Sequence, residues 1–211
     1  MSDWSSRAEA YRNAPEQREG EDLDLIVRWA EGSRTALDVA TGGGHVARRL
    51  REAGLQVVSS DPAPGMQPDV ICRAEDLPFA DESFDVVTCR VAAHHFEDPA
   101  AAVHEFARVA SELVLVADNL FLGEEGEQAD RLRDPTHVRN LSEDEWRGLF
   151  ERAGLEVAQF EREEKRVELE PWLERSGCVG DEAARVRDLL ADRIEDGKLR
   201  LDRGIFKAAK S

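Results

Sequence analysis

Residues 36–50 read ALDVATGGGHVARRL, and this stretch constrains the fold more than any other. An apolar run ends in three consecutive glycines, and a helical pattern begins directly after them. Glycines let a backbone turn sharply and approach a ligand closely, while the following helix presents unpaired N–H groups at its start. A strand, a glycine turn and a helix in this order predict one unit of a parallel α/β sheet.

The rest of the chain continues that alternation. Leu23, Ile26, Val27 and Ala30 lie on one face of a helix that stops at Gly32. Strands are expected at 36–40, 55–61, 69–73, 84–90, 113–118, 155–161 and 204–210. The helix over 99–110 turns Val103, Phe106 and Ala110 inward. Ser142 and Glu145 form a capping-box pattern before a helix with Trp146, Leu149 and Phe150 on its apolar face, ended by Gly154. A further helix is expected over 181–194. The resulting fold class is α/β: a Rossmann-like, seven-stranded, mostly parallel sheet with helices on both faces and the last strand antiparallel. A chain of 211 residues suits a single domain, with an N-terminal arm over 1–20. Residues 120–140, FLGEEGEQADRLRDPTHVRNL, show the least regular pattern and follow a strand's carboxyl end. Ligands bind at that edge of open α/β sheets, so the segment is expected to act as a substrate lid.

Composition narrows the function classes. A formal charge of −17 argues against binding nucleic acid or an anionic membrane surface. No stretch approaches the roughly 18 apolar residues of a membrane span. The first residues lack the apolar core of a secretory signal, so a cytoplasmic location is expected. Cys72, Cys89 and Cys178 are too scattered for a disulfide framework or a cysteine zinc site, and reduced thiols are expected.

The glycine turn then has to be matched to a ligand. A phosphate-binding P-loop needs Lys and Ser or Thr after its last glycine, but His45 and Val46 follow Gly44. The run Gly42 to Ala47 does satisfy G-x-G-x-x-A, the dinucleotide pattern, and Asp61 stands where an acid would bind a ribose. Asp38 opposes that reading, because a carboxylate beside a pyrophosphate is repelled. S-adenosylmethionine has an ammonium and a sulfonium instead of phosphates, and it suits Asp38.

Four motifs in order carry a resemblance to a known family. They are D-V-A-T-G-G-G-H at 38–45, Asp61 after the second strand, A-E-D-L-P-F-A-D-E-S-F-D-V-V at 74–87 and R-V-A-A-H-H-F-E-D-P at 90–99. Together they resemble the class I S-adenosylmethionine-dependent methyltransferases, in particular the small ubiquinone/menaquinone-biosynthesis group. D-P-T-H-V-R at 134–139 is similar to a segment of some small members. Ala40 replaces a common glycine, the link after Asp61 is short, and the Pro-Gly-Gly turn before the fifth strand is missing. The resemblance implies S-adenosylmethionine contacts at Asp38, Ala40, Thr41, Gly42, Gly44, Asp61, Pro62, Met66, Glu75, Asp76, Leu77 and Arg90. Of the two acids at 75 and 76, Asp76 is expected to meet the adenine.

Catalytic candidates are His95, His137, His94 and Arg139, with His95 or His137 nominated as a base and Arg139 as an anion clamp. Tyr11 and Arg18 of the arm are expected either to close over the cofactor or to pack as a cover. No metal site is expected. The implied activity is methyl transfer to a small-molecule acceptor through oxygen, nitrogen or carbon, and a homodimer is among the expected assemblies. A nicotinamide-dependent oxidoreductase and a non-catalytic cofactor-binding module are the alternatives.

Overall fold

A computed structural model describes residues 8, 12 and 18–210. The glycine turn sits between β1 (Thr35–Val39) and α2 (His45–Glu52), with α1 (Glu21–Trp29) before them. Then follow β2 (Gln56–Asp61), β3 (Val70–Ile71), β4 (Phe84–Arg90), α3 (Pro99–Val109) and β5 (Ala110–Asn119). The remaining elements are α4 (Glu124–Arg133), α5 (Glu143–Arg152), β6 (Leu155–Glu168), α6 (Leu169–Arg175), α7 (Gly180–Leu189), β7 (Ile194–Glu195) and β8 (Lys198–Lys210). The sheet order is β3-β2-β1-β4-β5-β8-β6, with β7 paired to β8. The strands from β3 to β5 are parallel, and β8 runs antiparallel to both β5 and β6.

Helices cover both faces, as the periodicity predicts. Leu23 and Ile26 of α1 pack with Val46 and Leu50 of α2 on one face. Val103 and Phe106 of α3 join Trp146 and Phe150 of α5 on the other. Among the described residues, two helix starts are capped by side chains. Asp98 accepts from the amides of Ala100 and Ala101, and Ser142 and Glu145 form the expected capping box.

The differences from expectation lie at the carboxyl edge of the sheet. An eighth strand, β7, joins β8 through Asp196-Gly197, both at positive φ, which is the two-residue hairpin that Asp-Gly favours. The helix expected to reach 194 therefore ends at Leu189. β6 and β8 also run longer than expected and pair from Leu155↔Lys210 to Glu168↔Lys198, whereas β5 meets β8 only up to Asn119↔Arg203. The far half of this ribbon thus continues past the carboxyl ends of the parallel strands. There α4, α6 and α7 pack on one face of it through an apolar cluster that includes Ala129, Val167, Leu173, Val186, Leu199 and Leu201. Residues 120–140 belong to this cap. They are built on α4, with Gly126, Glu127 and Ala129 buried, and are not the irregular stretch that their sequence suggests.

Candidate active site

The glycine turn is held from below by Asp38. This buried carboxylate accepts from Thr41 Oγ1 at 2.5 Å, Thr88 Oγ1 at 3.0 Å and the Ala47 amide at 3.1 Å. Burial pushes its pKa up to about 6, against the pull of those donors. Asp38 thus ties two strands to the start of α2. The Thr41 amide donates to Ser60 O at 2.9 Å, which fixes the turn to β2 as well. Ala40, Gly42 and Gly44 all have positive φ, a conformation that costs alanine about 1 kcal/mol or more and glycine little. A Cβ on Gly44 would meet no atom within 4 Å, and one on Gly42 only Ala40 O at 4.0 Å. Gly42 and Gly44 therefore face open space, as a ligand cradle requires, while a Cβ on Gly43 would meet His45 Nε2 at 2.6 Å and Arg12 Cα at 3.2 Å.

Asp61 closes the next side. Its two oxygens accept from the amides of Gly42 at 3.0 Å and Ala63 at 2.9 Å, and burial raises its pKa. A carboxylate has about four acceptor positions, so each oxygen retains capacity for a ligand hydroxyl. Pro62 is exposed, while Met66 is buried with Ala63 and Ala8 of the arm. Arg12 also donates to Gly65 O at 3.0 Å, and Arg18 to Arg12 O, so these arm residues dock beside the β2 edge. Tyr11 lies outside the described residues.

The two neighbouring acids separate cleanly. Glu75 accepts from the Glu97 amide at 3.1 Å and from Arg73, and so braces the loop before α3. Asp76 is exposed, and no described residue pairs with its carboxylate. Leu77 is buried, with its amide donating to Glu105.

Arg90 has a different setting from the one expected of a cofactor contact. Its guanidinium forks onto Asp22 of α1 at 2.7 and 3.1 Å, and Arg203 of β8 reaches the same carboxylate at 2.7 Å. Lys165 stands 3.8 Å away. Asp22 is fully buried, and despite that burial the surrounding cations hold its pKa well below the usual carboxylate range.

The structure brings the three candidate histidines together at the carboxyl edge. The rings of His94 and His95 lie 4.1 Å apart between centroids, and His137 is 5.7 Å from His94 and 6.5 Å from His95. The amides of Val138 and Arg139 donate to His94 O, which brings the 134–140 loop onto the turn after β4. His94 Nδ1 lies 2.7 Å from Asp118, whose other oxygen accepts from the His94 amide at 3.0 Å. Burial disfavours charge on the His94 ring, but Asp118 outweighs it and raises the pKa. His95 Nδ1 lies 3.1 Å from Thr136 O, a pure acceptor, so this nitrogen carries the proton. Burial, reinforced by His94, pushes the His95 pKa down to about 3, and its ring is neutral. His137 Nε2 pairs with Glu127 of α4 at 3.1 Å.

Arg139 points elsewhere. It pairs with Glu145 of the capping box and lines an open groove of about 480 Å³ with Pro99, Leu141, Asp144, Gly148 and Leu149. None of the glycine-turn residues lines that groove. Sequence reasoning missed Asp22, Asp118, Glu127 and Arg203. Asp118 alone carried a readable signal, an acid at a strand's carboxyl end like Asp61.

Taken together, the cradle holds acids with spare acceptor capacity, and the arginines at its edge are paired to Asp22. This donor set fits hydroxyls and positive charge better than phosphates. A family model described as a methyltransferase domain matches residues 37–113. The methyltransferase YcgJ of Bacillus subtilis strain 168 is 32% identical over 207 residues, which cover 87% of this chain and 82% of that protein. The chain belongs to the class I S-adenosylmethionine-dependent methyltransferases. The crystal structure of YcgJ resembles this methyltransferase with a TM-score of 0.82 at 27% identity, covering 90% of this chain and 97% of that one. The BH2331 protein of Bacillus halodurans C-125 gives a TM-score of 0.80 at 29% identity, covering 90% and 99%. A demethylmenaquinone methyltransferase of Renibacterium salmoninarum is 40% identical over 83 residues, 35% of each chain. Membership sets aside the nicotinamide reading, and S-adenosylmethionine is the methyl donor. Among the described residues, no helix of this methyltransferase is long and apolar enough to cross a membrane.

Proposed function

We propose that this methyltransferase acts on a small-molecule acceptor, with His94 taking the acceptor's proton. The observation that carries the reading is the His94–Asp118 pair at the carboxyl edge. Asp118 accepts the Nδ1 proton and so leaves Nε2 with its lone pair, the tautomer a base needs. The base role therefore moves from His95 or His137 to His94. His95, a neutral ring, then orients the acceptor, and His137 is tied to Glu127. When bound, S-adenosylmethionine supplies a methyl group on positively charged sulfur. The glycine turn and Asp61 support its binding, with Asp76 at the adenine, while the cap over the edge excludes water. The acceptor class is drawn from the histidine-lined mouth and the −17 charge, which disfavours nucleic acid.

Two measurements test this reading. S-adenosylhomocysteine at about 100 times its Kd should stabilise the protein by about 2.7 kcal/mol, a Tm rise of roughly 5–11 °C, and NAD should not. Asp61→Ala should abolish most of that rise. For the base, His94→Gln and Asp118→Asn are compared with the parent by S-adenosylhomocysteine release in single turnovers. The acceptor panel includes quinol, phenol and amine compounds, among them demethylmenaquinone, the acceptor in the Renibacterium relative's name. Both variants should lose about 10²–10⁴ in rate and keep cofactor affinity. Rates within threefold of the parent's would exclude a base role for His94.

A further inference from the structure

We propose that Glu127, Asp130, His137 and the Asn140 side-chain oxygen form a binding site for a divalent first-row transition-metal ion. Glu127 and Asp130 stand three apart on α4, so both carboxylates share one helix face. The loop after α4 returns His137 and Asn140 to that face. Asp134 shapes this loop by accepting from the Thr136 amide and hydroxyl at 3.0 and 2.7 Å, while its carbonyl accepts from the His137 amide. One ligand atom from each of Glu127, Asp130 and His137 lies within 4.8 Å of the others. Metal ligands sit about 2.0–2.2 Å from the ion, hence about 3–4 Å from each other, so closure needs shifts of order 1 Å.

A second observation points independently to a cation. Asn140 is 2% exposed, and its side-chain oxygen has no hydrogen-bond partner. The Nδ2 end of the same side chain faces the cluster, donating to Asp130 at 2.7 Å, and the main-chain amide donates to Glu127 at 3.0 Å, so a half-turn of the side-chain amide exchanges Nδ2 for the oxygen at that position. With the amide turned, that oxygen joins two carboxylates and an imidazole as a ligand set, and leaving it unpaired costs about 1–3 kcal/mol. Glu127 is 2% exposed, and among the described residues its one cationic side-chain partner besides the His137 contact is Arg131 at 3.4 Å, which is half-exposed. A bound dication would complete this charge balance. One nitrogen and three oxygens suit Mn²⁺ or Zn²⁺ better than Mg²⁺, which prefers all-oxygen shells. The rival account is a hydrogen-bonded brace for the loop, with no ion.

The chelator-treated full chain is titrated with Mn²⁺, Zn²⁺ and Mg²⁺ by calorimetry, without cofactor or acceptor. One Mn²⁺ or Zn²⁺ per chain is expected, bound roughly tenfold or more weaker by Asp130→Asn and His137→Gln, with Mg²⁺ weaker than either. Asp130 is half-buried, so its variant preserves the fold if His137→Gln does not. On the parent, Mn²⁺ should broaden the NMR ring signals of His137, His94 and His95 ahead of His45 and exposed His104. Absence of binding up to about 1 mM metal, undiminished binding by folded variants, or broadening confined to His45 and His104 would overturn the site. The readout involves no methyl transfer, so it stands or falls separately from the proposed base.

Discussion

Replacing Asp22 by Asn tests the buried ion cluster that binds α1 to β4 and β8. Asp22 is fully buried, and the side chains of Arg90 and Arg203 are 4% and 5% exposed. Removing one carboxylate charge leaves two guanidiniums without their shared counter-ion. An amide in its place turns N–H groups toward guanidinium donors. Breaking a buried pair in this way costs about 3–5 kcal/mol. For a chain of this size each kcal/mol moves Tm by about 2–4 °C, so a fall of roughly 6–20 °C is expected. Asp24→Asn on the same helix is the control, because its pair with Arg49 is solvent-exposed and worth about 0–1 kcal/mol. Differential scanning calorimetry and urea titration at pH 7 give both numbers.

The pH dependence adds a second check on the same cluster. The folded-state pKa of Asp22 is depressed, so its contribution is present above the unfolded value of about 4 and is lost as pH falls below it. The gap between parent and Asp22→Asn should therefore narrow in acid. A Tm within about 2 °C of the parent at pH 7 would refute the account, since the cluster would then be hydrated or free to rearrange.

Asp38 should show the opposite sign. Its pKa is raised from 3.8 to about 6 by burial, so it costs stability as pH rises through that window, by about 3 kcal/mol at most. Asp38→Asn should flatten the urea-measured stability between pH 4 and 6, and an unchanged slope would count against the buried-acid assignment. Ser142→Ala removes the cap of α5 and should cost about 1 kcal/mol, read as a lower urea midpoint with an unchanged m-value. A loss below about 0.3 kcal/mol would mean that Glu145 alone caps the helix.

Much of the candidate site is legible in the amino-acid sequence because its signals are local. The strand, glycine turn and helix at 36–50 follow from backbone freedom and helix periodicity within fifteen residues. Asp38 and Asp61 are readable because each stands beside a turn at or near a strand's carboxyl end, whereas Asp76 is picked out by the family resemblance alone. The three histidines fall at one edge because 94 and 95 follow β4 and 137 follows β5. The Asp196-Gly197 turn is equally local, but the helical pattern expected to run to 194 masks it. Other features have no local signal. α4 buries Gly126, Glu127 and Ala129, and Leu132 is its one large apolar side chain, too few to set a period. The outer half of β6 alternates charges because it forms an edge ribbon largely open to solvent, so hydrophobic spacing is weak there. Partner choice among charges is decided by tertiary structure alone. Asp22 meets Arg203 across 181 positions, and His94 meets Asp118 across 24. Coulomb attraction takes no account of separation along the chain, so these pairings become specific only when β4, β5 and β8 lie side by side.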